Sequence, residues 1–428
     1  MLARVAVVFM LAVVTMLAGH AGGIELAALG LAMAPQFVFL LVGIGAVQGI
    51  LVLVAQAAGA GEDARAGAVL RVGIAHALVL GIAAGLVLQG AGAAFAAIGQ
   101  EPALAARAGE VAAALGWGMP GVMLFTACTF FLEGLGRPRP GLVVMIGGNL
   151  VSAGLAVLWV GTGEGPGGGQ GAVGAAWAIT AARTTMGLVL AAYVWRLPER
   201  GRLGIRAPAP GRAELGRRLR RLGYPLALAQ GLESASFAGL VVLAGYLGPE
   251  ALGAYQVAMN LVATVFMVAI GIATAAAVRV GRAVGRHDQP NMARAGWTAL
   301  GTAAVLMGLV AAAFRALPEE IAALYTADPA ILGPAAACVA FAAWFVVFDG
   351  LQGVAMGALR GAGDVWVPSA LQMVAFWILG LPAGAWLAFR AGQGVLGLFG
   401  GISIGVAAAA FLLAARFALV SRRPVSRA

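Results

Sequence analysis

The chain has 428 residues, of which 62% are hydrophobic and only 10% charged, against about a quarter charged in soluble domains. Its net charge of +10 comes entirely from arginine, yet the arginines punctuate long apolar runs, which is a topology signal and not a nucleic-acid footprint. Composition and pattern exclude a soluble globular enzyme and a nucleic-acid binder, and leave a polytopic membrane protein.

Uncharged runs predict about twelve spanning helices, at 2–19, 31–57, 72–98, 111–132, 140–160, 172–195, 224–247, 251–278, 296–316, 332–358, 366–389 and 396–419. At about 1.5 Å per residue, each is long enough to cross a hydrocarbon layer of about 30 Å. Residues 1–21 also read as a signal peptide, with Arg4, an apolar core and the small-residue run "LAGHAG". The uncleaved helix is the expectation, because the internal repeat needs it. Of the 27 arginines, 23 fall in the even-numbered connections and the two termini, including nine between Arg196 and Arg221. Arg107, Arg315 and Arg390 lie in the odd-numbered connections, and Arg183 lies inside the sixth span. Arginine accumulates on the cytoplasmic side, so both termini are expected there.

A repeat divides the chain. A shift of 226 lays "LAALGLAM" on "LGAYQVAM" and takes Val54 to Val280 and Gly59 to Gly285. A shift of 227 takes Trp117 to Trp344 and sets "EGLGRPRP" beside "RGAGDVWVP". The expected architecture is all-α, with two six-helix pseudo-symmetric lobes around a central cavity. The lobes are residues 1–195 and 223–428, joined by an Arg-rich cytoplasmic linker, 196–222. Parallel repeats of this kind are a transporter plan, with the substrate between the halves.

Two of the 17 acidic residues lie deep in spans: Glu233 in the seventh and Asp349 in the tenth. Glu133, at the end of the fourth span, reads as an ion pair with nearby Arg137. Counted from Arg221 and Arg360, Glu233 and Asp349 both sit roughly 17 Å from the cytoplasmic edge. Intramembrane carboxyls are expensive and tend to be functional. Polar faces accompany them. Gln230, Glu233, Ser234 and Phe237 share one face of the seventh span by i, i+3, i+4 spacing. Gln256, Asn260, Thr264 and Met267 stripe the eighth, and Phe345, Asp349, Gln352 and Met356 share a face of the tenth. One such stripe glues helices together; three in one half point to a wet cavity. In low dielectric a carboxyl holds a proton, a Na⁺ or a cationic substrate, but not readily two at once, which is the chemical content of antiport. Phe237, Phe345 and Phe348 read either as packing or as cation–π surface. Arg183 has three open readings: partner of a deep carboxylate, binder of an anionic substrate group, or a snorkelling side chain.

Other motifs are negative. "GTGEGPGGGQG" lacks the GK[ST] of a phosphate loop and reads as an outer hairpin. Cys128 and Cys338 are separate buried thiols, and His20, His76 and His287 are scattered, so no permanent metal or cofactor is expected. Without a paired-aspartate motif or a nucleophile elbow, the chain does not read as an enzyme.

"VAQAAGAGEDARAG" and its counterpart "VRVGRAVGRHD" resemble the paired signatures of the multidrug and toxic compound extrusion (MATE) family. "GMPGVMLFTACTFFLEGLGRPRP" and "GALRGAGDVWVP" resemble that family's fourth helix and loop and their second-half partner. "YPLALAQGLESASF" and "GAYQVAMN" resemble helices seven and eight of its NorM-like branch. The resemblance covers nearly the whole chain. It implies a multi-pass bacterial inner-membrane antiporter, expected to be a monomer, that expels amphiphilic or cationic drugs in exchange for Na⁺ or H⁺. It also implies coupling roles for Glu233 and Asp349, the sites where Na⁺ would bind, with the amides Gln256 and Asn260 beside them. Val14 stands where the family commonly has aspartate, so coupling is expected to rest on the second half. The alternative reading is a lipid-linked oligosaccharide flippase of related architecture. That function would need a strongly cationic groove for its pyrophosphate, for which only Arg183 is available.

Overall fold

The computed structural model describes residues 16–160, 169–207, 211–326 and 328–424. Residues 16–21 are helical, and eleven helices long and apolar enough to cross a membrane follow among the described residues. They are α1 (Gly23–Gly59), α2 (Asp63–Gln89), α3 (Pro102–Gly134), α4 (Arg139–Val160), α5 (Gly171–Trp195), α6 (Arg212–Tyr246), α7 (Pro249–Gly285), α8 (Gln289–Ala316), α9 (Pro329–Gly361), α10 (Trp366–Arg390) and α11 (Gly394–Val420). No strand occurs among the described residues. In lipid an open sheet edge has nothing to satisfy it, whereas a helix satisfies its own backbone. Most of the predicted first span, Val14 included, lies outside the described residues, as does most of the glycine-rich hairpin.

The helix boundaries repeat as the sequence does. Moving α1 by 226 residues reproduces both ends of α7, and moving α3 by 227 reproduces both ends of α9. Even a short connecting helix recurs, at Ala91–Ala97 and at Pro318–Ala323.

The chain forms two compact units, Met1–Ala227 and Leu228–Ala428, with the division falling inside α6. α6 begins at Arg212, well before the predicted span at 224, because 212–222 is a good helix-forming stretch with Arg218 paired to Glu214 at 3.0 Å.

In the first unit α5 packs against α3 and α4, and α2 against α3. Its linker segment lies against the loop ends. Arg137 grips Glu199 with two hydrogen bonds, at 2.8 and 3.2 Å, and Arg202 pairs with Asp63 at 3.0 Å. The Arg137 hydrogen bonds hold the Glu199 carboxyl down at about 2, so it stays ionised at neutral pH. At the opposite helix ends Arg107 of α3 makes a bidentate pair with Glu25 of α1, at 2.8 and 3.1 Å. Arg107 also donates to Glu110 and to the Gln170 carbonyl, while Glu25 accepts from the Ala172 amide at 2.6 Å. One guanidinium thus ties together the ends of α1, α3 and α5.

In the second unit α9 is central, packed against α7, α8 and α11. Its approach to α7 depends on glycine. A side chain at Gly357 would meet the Ala273 carbonyl, and one at Gly361 would meet the Ala277 carbonyl at 2.5 Å. Between α9 and α10, Asp364 is held by Arg416 of α11 at 2.7 Å.

The Arg107 network makes a clear stability prediction. Replacing Arg107 by Gln leaves Glu25 with one backbone donor and should cost about 1–3 kcal/mol. Arg217→Gln, at a 3.7 Å and well-exposed pair, should stay within about 0.5 kcal/mol of wild type. Melting temperatures of the purified variants in one detergent test this, and equal losses would contradict it.

Candidate functional site

The site grows from three helices of the second unit. α6 carries Pro225, and beyond it the chain runs through Gln230 to a half-buried Glu233. α9 brings Asp349 and Gln352, which are 5% and 1% exposed and share a face by i, i+3 spacing. α10 supplies Gln372, also buried. The Gln372 Nε2 donates to Glu233 Oε2 at 3.0 Å and lies 3.4 Å from Gln352 Oε1. With its oxygen accepting, Gln352 has its Nε2 left to serve the carboxyls of Glu233 and Asp349, both of which it faces. The Asp349 carboxyl lies near enough to Glu233 for their charges to repel.

A second hydrogen bond fixes α10 to α6. The Trp377 indole Nε1 donates to the Leu232 carbonyl, beside Glu233, at 3.0 Å. Residues 372 and 377 sit about 140° apart on a regular α-helix, so one partner helix could not receive both. From Val374 to Gly380, however, α10 is wound as a π-helix, which closes its hydrogen bonds five residues apart. Pro382 explains the change: it has no N–H, and its ring crowds the carbonyl four residues earlier. The wider turn swings Trp377 back toward the Gln372 face.

The other predicted residues are placed as follows. Ser234 bonds back to the Gln230 carbonyl at 2.8 Å. Phe237 packs on Phe376 at 5.9 Å, and Phe348 on Phe411 at 5.7 Å. Phe345 is fully buried in the hydrophobic core, and Met356 is 9% exposed. Gln256, Asn260 and Thr264 form an exposed ladder along α7: the Asn260 amide donates to the Gln256 carbonyl at 3.0 Å, and Thr264 to that of Asn260 at 2.9 Å. No hydrogen bond joins this ladder to Glu233 or Asp349 among the described residues. Arg183, on α5, belongs to the first unit. Its Nη1 is buried with no hydrogen-bond partner among the described residues, as are Asn149 Nδ2 and Ser152 Oγ of α4. No group of three or more His, Cys, Asp or Glu gathers anywhere among the described residues.

Sequence reasoning did not single out Gln372 or Trp377. The available signal was one amide, Gln372, inside an otherwise apolar span that also holds Pro382.

Comparison with known proteins follows the same lines. The MatE family model matches residues 1–158 and 225–386. A probable multidrug resistance protein NorM of Caulobacter vibrioides is 36% identical over 95% of this chain and 86% of its own. A multidrug resistance protein NorM of Burkholderia vietnamiensis is also 36% identical, over 95% and 88%. Among solved structures, the eukaryotic MATE transporter AtDTX14 superposes with a TM-score of 0.85 at 22% identity, over 97% of this chain and 94% of that one. A MOP-superfamily transporter from Pyrococcus furiosus superposes with 0.85 at 20% identity, over 98% and 94%.

The amide chain can be tested by itself. Gln372→Leu removes the donor to a carboxyl with little water nearby, and should destabilise the protein by about 1–3 kcal/mol. Asn260→Leu removes an exposed amide bonded within its own helix and should change stability by less than about 0.5 kcal/mol. Thermal unfolding of the two variants in parallel distinguishes them; equal behaviour would mean that the Gln372 bond contributes nothing.

Proposed function

The chain belongs to the MATE family, and on that premise we propose that it exports amphiphilic, often cationic, small molecules in exchange for Na⁺ or H⁺. It is a multi-pass membrane protein of a transporter family and not an enzyme, and its curated relatives are named multidrug resistance proteins. The proposal places it in the bacterial inner membrane, working as a monomer by alternating access.

One observation carries the coupling proposal: Glu233 and Asp349 lie together among neutral amides, and no ion pair reaches either carboxyl among the described residues. An arginine there would neutralise the site permanently. Amides orient the carboxyls but leave their charge to be balanced by something that comes and goes. Two carboxylates side by side in low dielectric hold a proton or a small cation between them. An arriving organic cation competes for the same charge, so its binding expels the ion, and ion binding expels it. Phe237 and Phe348 line the same helices and offer apolar surface to the organic part of the substrate.

Dye accumulation in efflux-deficient cells tests this. The wild-type protein should lower accumulation of a fluorescent cation, while Glu233→Gln and Asp349→Asn, at equal expression, should leave it at the level of cells without the protein. Normal export by both variants would remove these carboxyls from the mechanism. Inside-out vesicles under an imposed Na⁺ or proton gradient then identify the ion, as the gradient that drives dye uptake.

A further inference from the structure

Where α7 meets α8 the surface holds a groove of about 400 Å³ that the transport mechanism does not use. Arg279, Arg282 and Arg286 line it from the end of α7, and Arg294 and Thr298 from the start of α8. None of its described lining residues is acidic. The one acid in the connecting turn, Asp288, is occupied as the cap of α8, accepting from the Asn291 backbone and side chain. None of the four arginines has an ion-pair partner among the described residues, and the Arg282 Nε is buried with no hydrogen-bond partner there. A half-desolvated guanidinium in a ring of like charge is costly unless an anion completes it.

The surroundings identify the anion's carrier. Arg294 and Thr298 continue along one face of α8 through Thr302 to Val305 and Leu309, at steps of four, four, three and four residues. Val305 and Leu309 are 64% and 65% exposed, and Thr302 turns its hydroxyl inward onto the Thr298 carbonyl at 2.8 Å. The face therefore runs from cationic to wholly apolar. Trp297, exposed and resting edge-on against Phe417 at 5.8 Å, marks the depth at which tryptophans gather at the headgroup level. From Arg294 to Leu309 the helix rises about 22 Å, the distance from headgroup phosphate to bilayer midplane. A free phosphate needs only the groove, whereas the groove and the stripe together fit a phospholipid.

We propose that this groove binds the headgroup phosphate of an anionic phospholipid, whose acyl chain lies along Val305 and Leu309. The charge surplus selects an anionic lipid over a zwitterionic one. The arginine asymmetry of the chain places it in the cytoplasmic leaflet, where anionic lipids draw basic clusters.

Native mass spectrometry of the full-length protein, with phosphatidylglycerol and phosphatidylcholine of identical chains, tests the proposal. The wild-type protein should retain phosphatidylglycerol preferentially. At about fivefold in affinity per arginine, Arg282→Gln with Arg294→Gln should weaken that retention roughly 25-fold and leave phosphatidylcholine unchanged. Arg212→Gln with Arg221→Gln removes the same charge elsewhere and should have no effect. Inorganic phosphate in excess should not displace the lipid. If the first pair does not fold, the exposed pair Arg279→Gln with Arg286→Gln should show the same selective loss. Equal retention of both lipids, equal loss in the Arg212/Arg221 control, or displacement by inorganic phosphate would each overturn the proposal.

Discussion

No water reaches the hydrocarbon core, so every polar group placed there needs a partner from the protein itself. Small polar side chains meet this rule locally. Thr126, Ser234, Asn260, Thr264 and Thr274 each bond the carbonyl four residues back on their own helix. At the helix ends, Glu25 is paired with Arg107, a charge for a charge. Glu233 and Asp349 are handled differently, because their partners are the neutral amides Gln372 and Gln352. Geometry is supplied and charge is not. That difference separates a carboxylate whose charge is balanced by the protein from two whose neighbours leave the charge unbalanced.

The scaffold repeats between the two halves of the sequence, and the buried polar chemistry does not. Helix ends coincide under shifts of 226 and 227, down to the short helices at Ala91–Ala97 and Pro318–Ala323. Yet the 227 shift sets Asp349 opposite Val122, Gln352 opposite Phe125 and Gln372 opposite Met145. Each of these three positions thus corresponds in sequence to an apolar residue of the other half. The reverse holds for Arg183, whose counterparts fall among the alanines at 407–410. Backbone positions repeat because packing and bilayer thickness constrain both halves equally. The buried carboxyl–amide positions do not repeat, although acids at helix starts do, as with Glu62 and Asp288 or Glu101 and Asp328.

Much of this was legible before any coordinates. Bilayer thickness imposes a length on each apolar run, so composition alone located the spans, although it set 72–98 where α2 is Asp63–Gln89 and missed the starts of α3 at Pro102 and of α6 at Arg212, where charged residues masked helical stretches. Glu233 and Asp349 were legible because a carboxyl in an apolar run is conspicuous, and equal distance from flanking arginines put them at one depth. Exposure was less legible. Phe345 and Phe348 look alike in sequence, but the first is sealed in the core and the second is partly open beside Phe411. Which face of α9 turns inward depends on how closely α7 approaches, and that is set by Gly357 and Gly361 at a distance in sequence.

Gln372 and Trp377 show the limit of periodicity as a guide. A period of 3.6 sends them to different faces, and by that rule only one of them can belong with Glu233. The rule fails because Pro382, outside both, removes a backbone donor and shifts the preceding turn to a wider winding. Five residues then nearly complete a turn, and the amide and the indole both reach α6, at Glu233 and at the adjoining Leu232 carbonyl. A proline ordinarily read as a defect in a span is here what lets a second donor, the Trp377 indole, reach α6 beside Glu233. In a low-dielectric setting with so few polar side chains, one local change of helical pitch decides which groups meet.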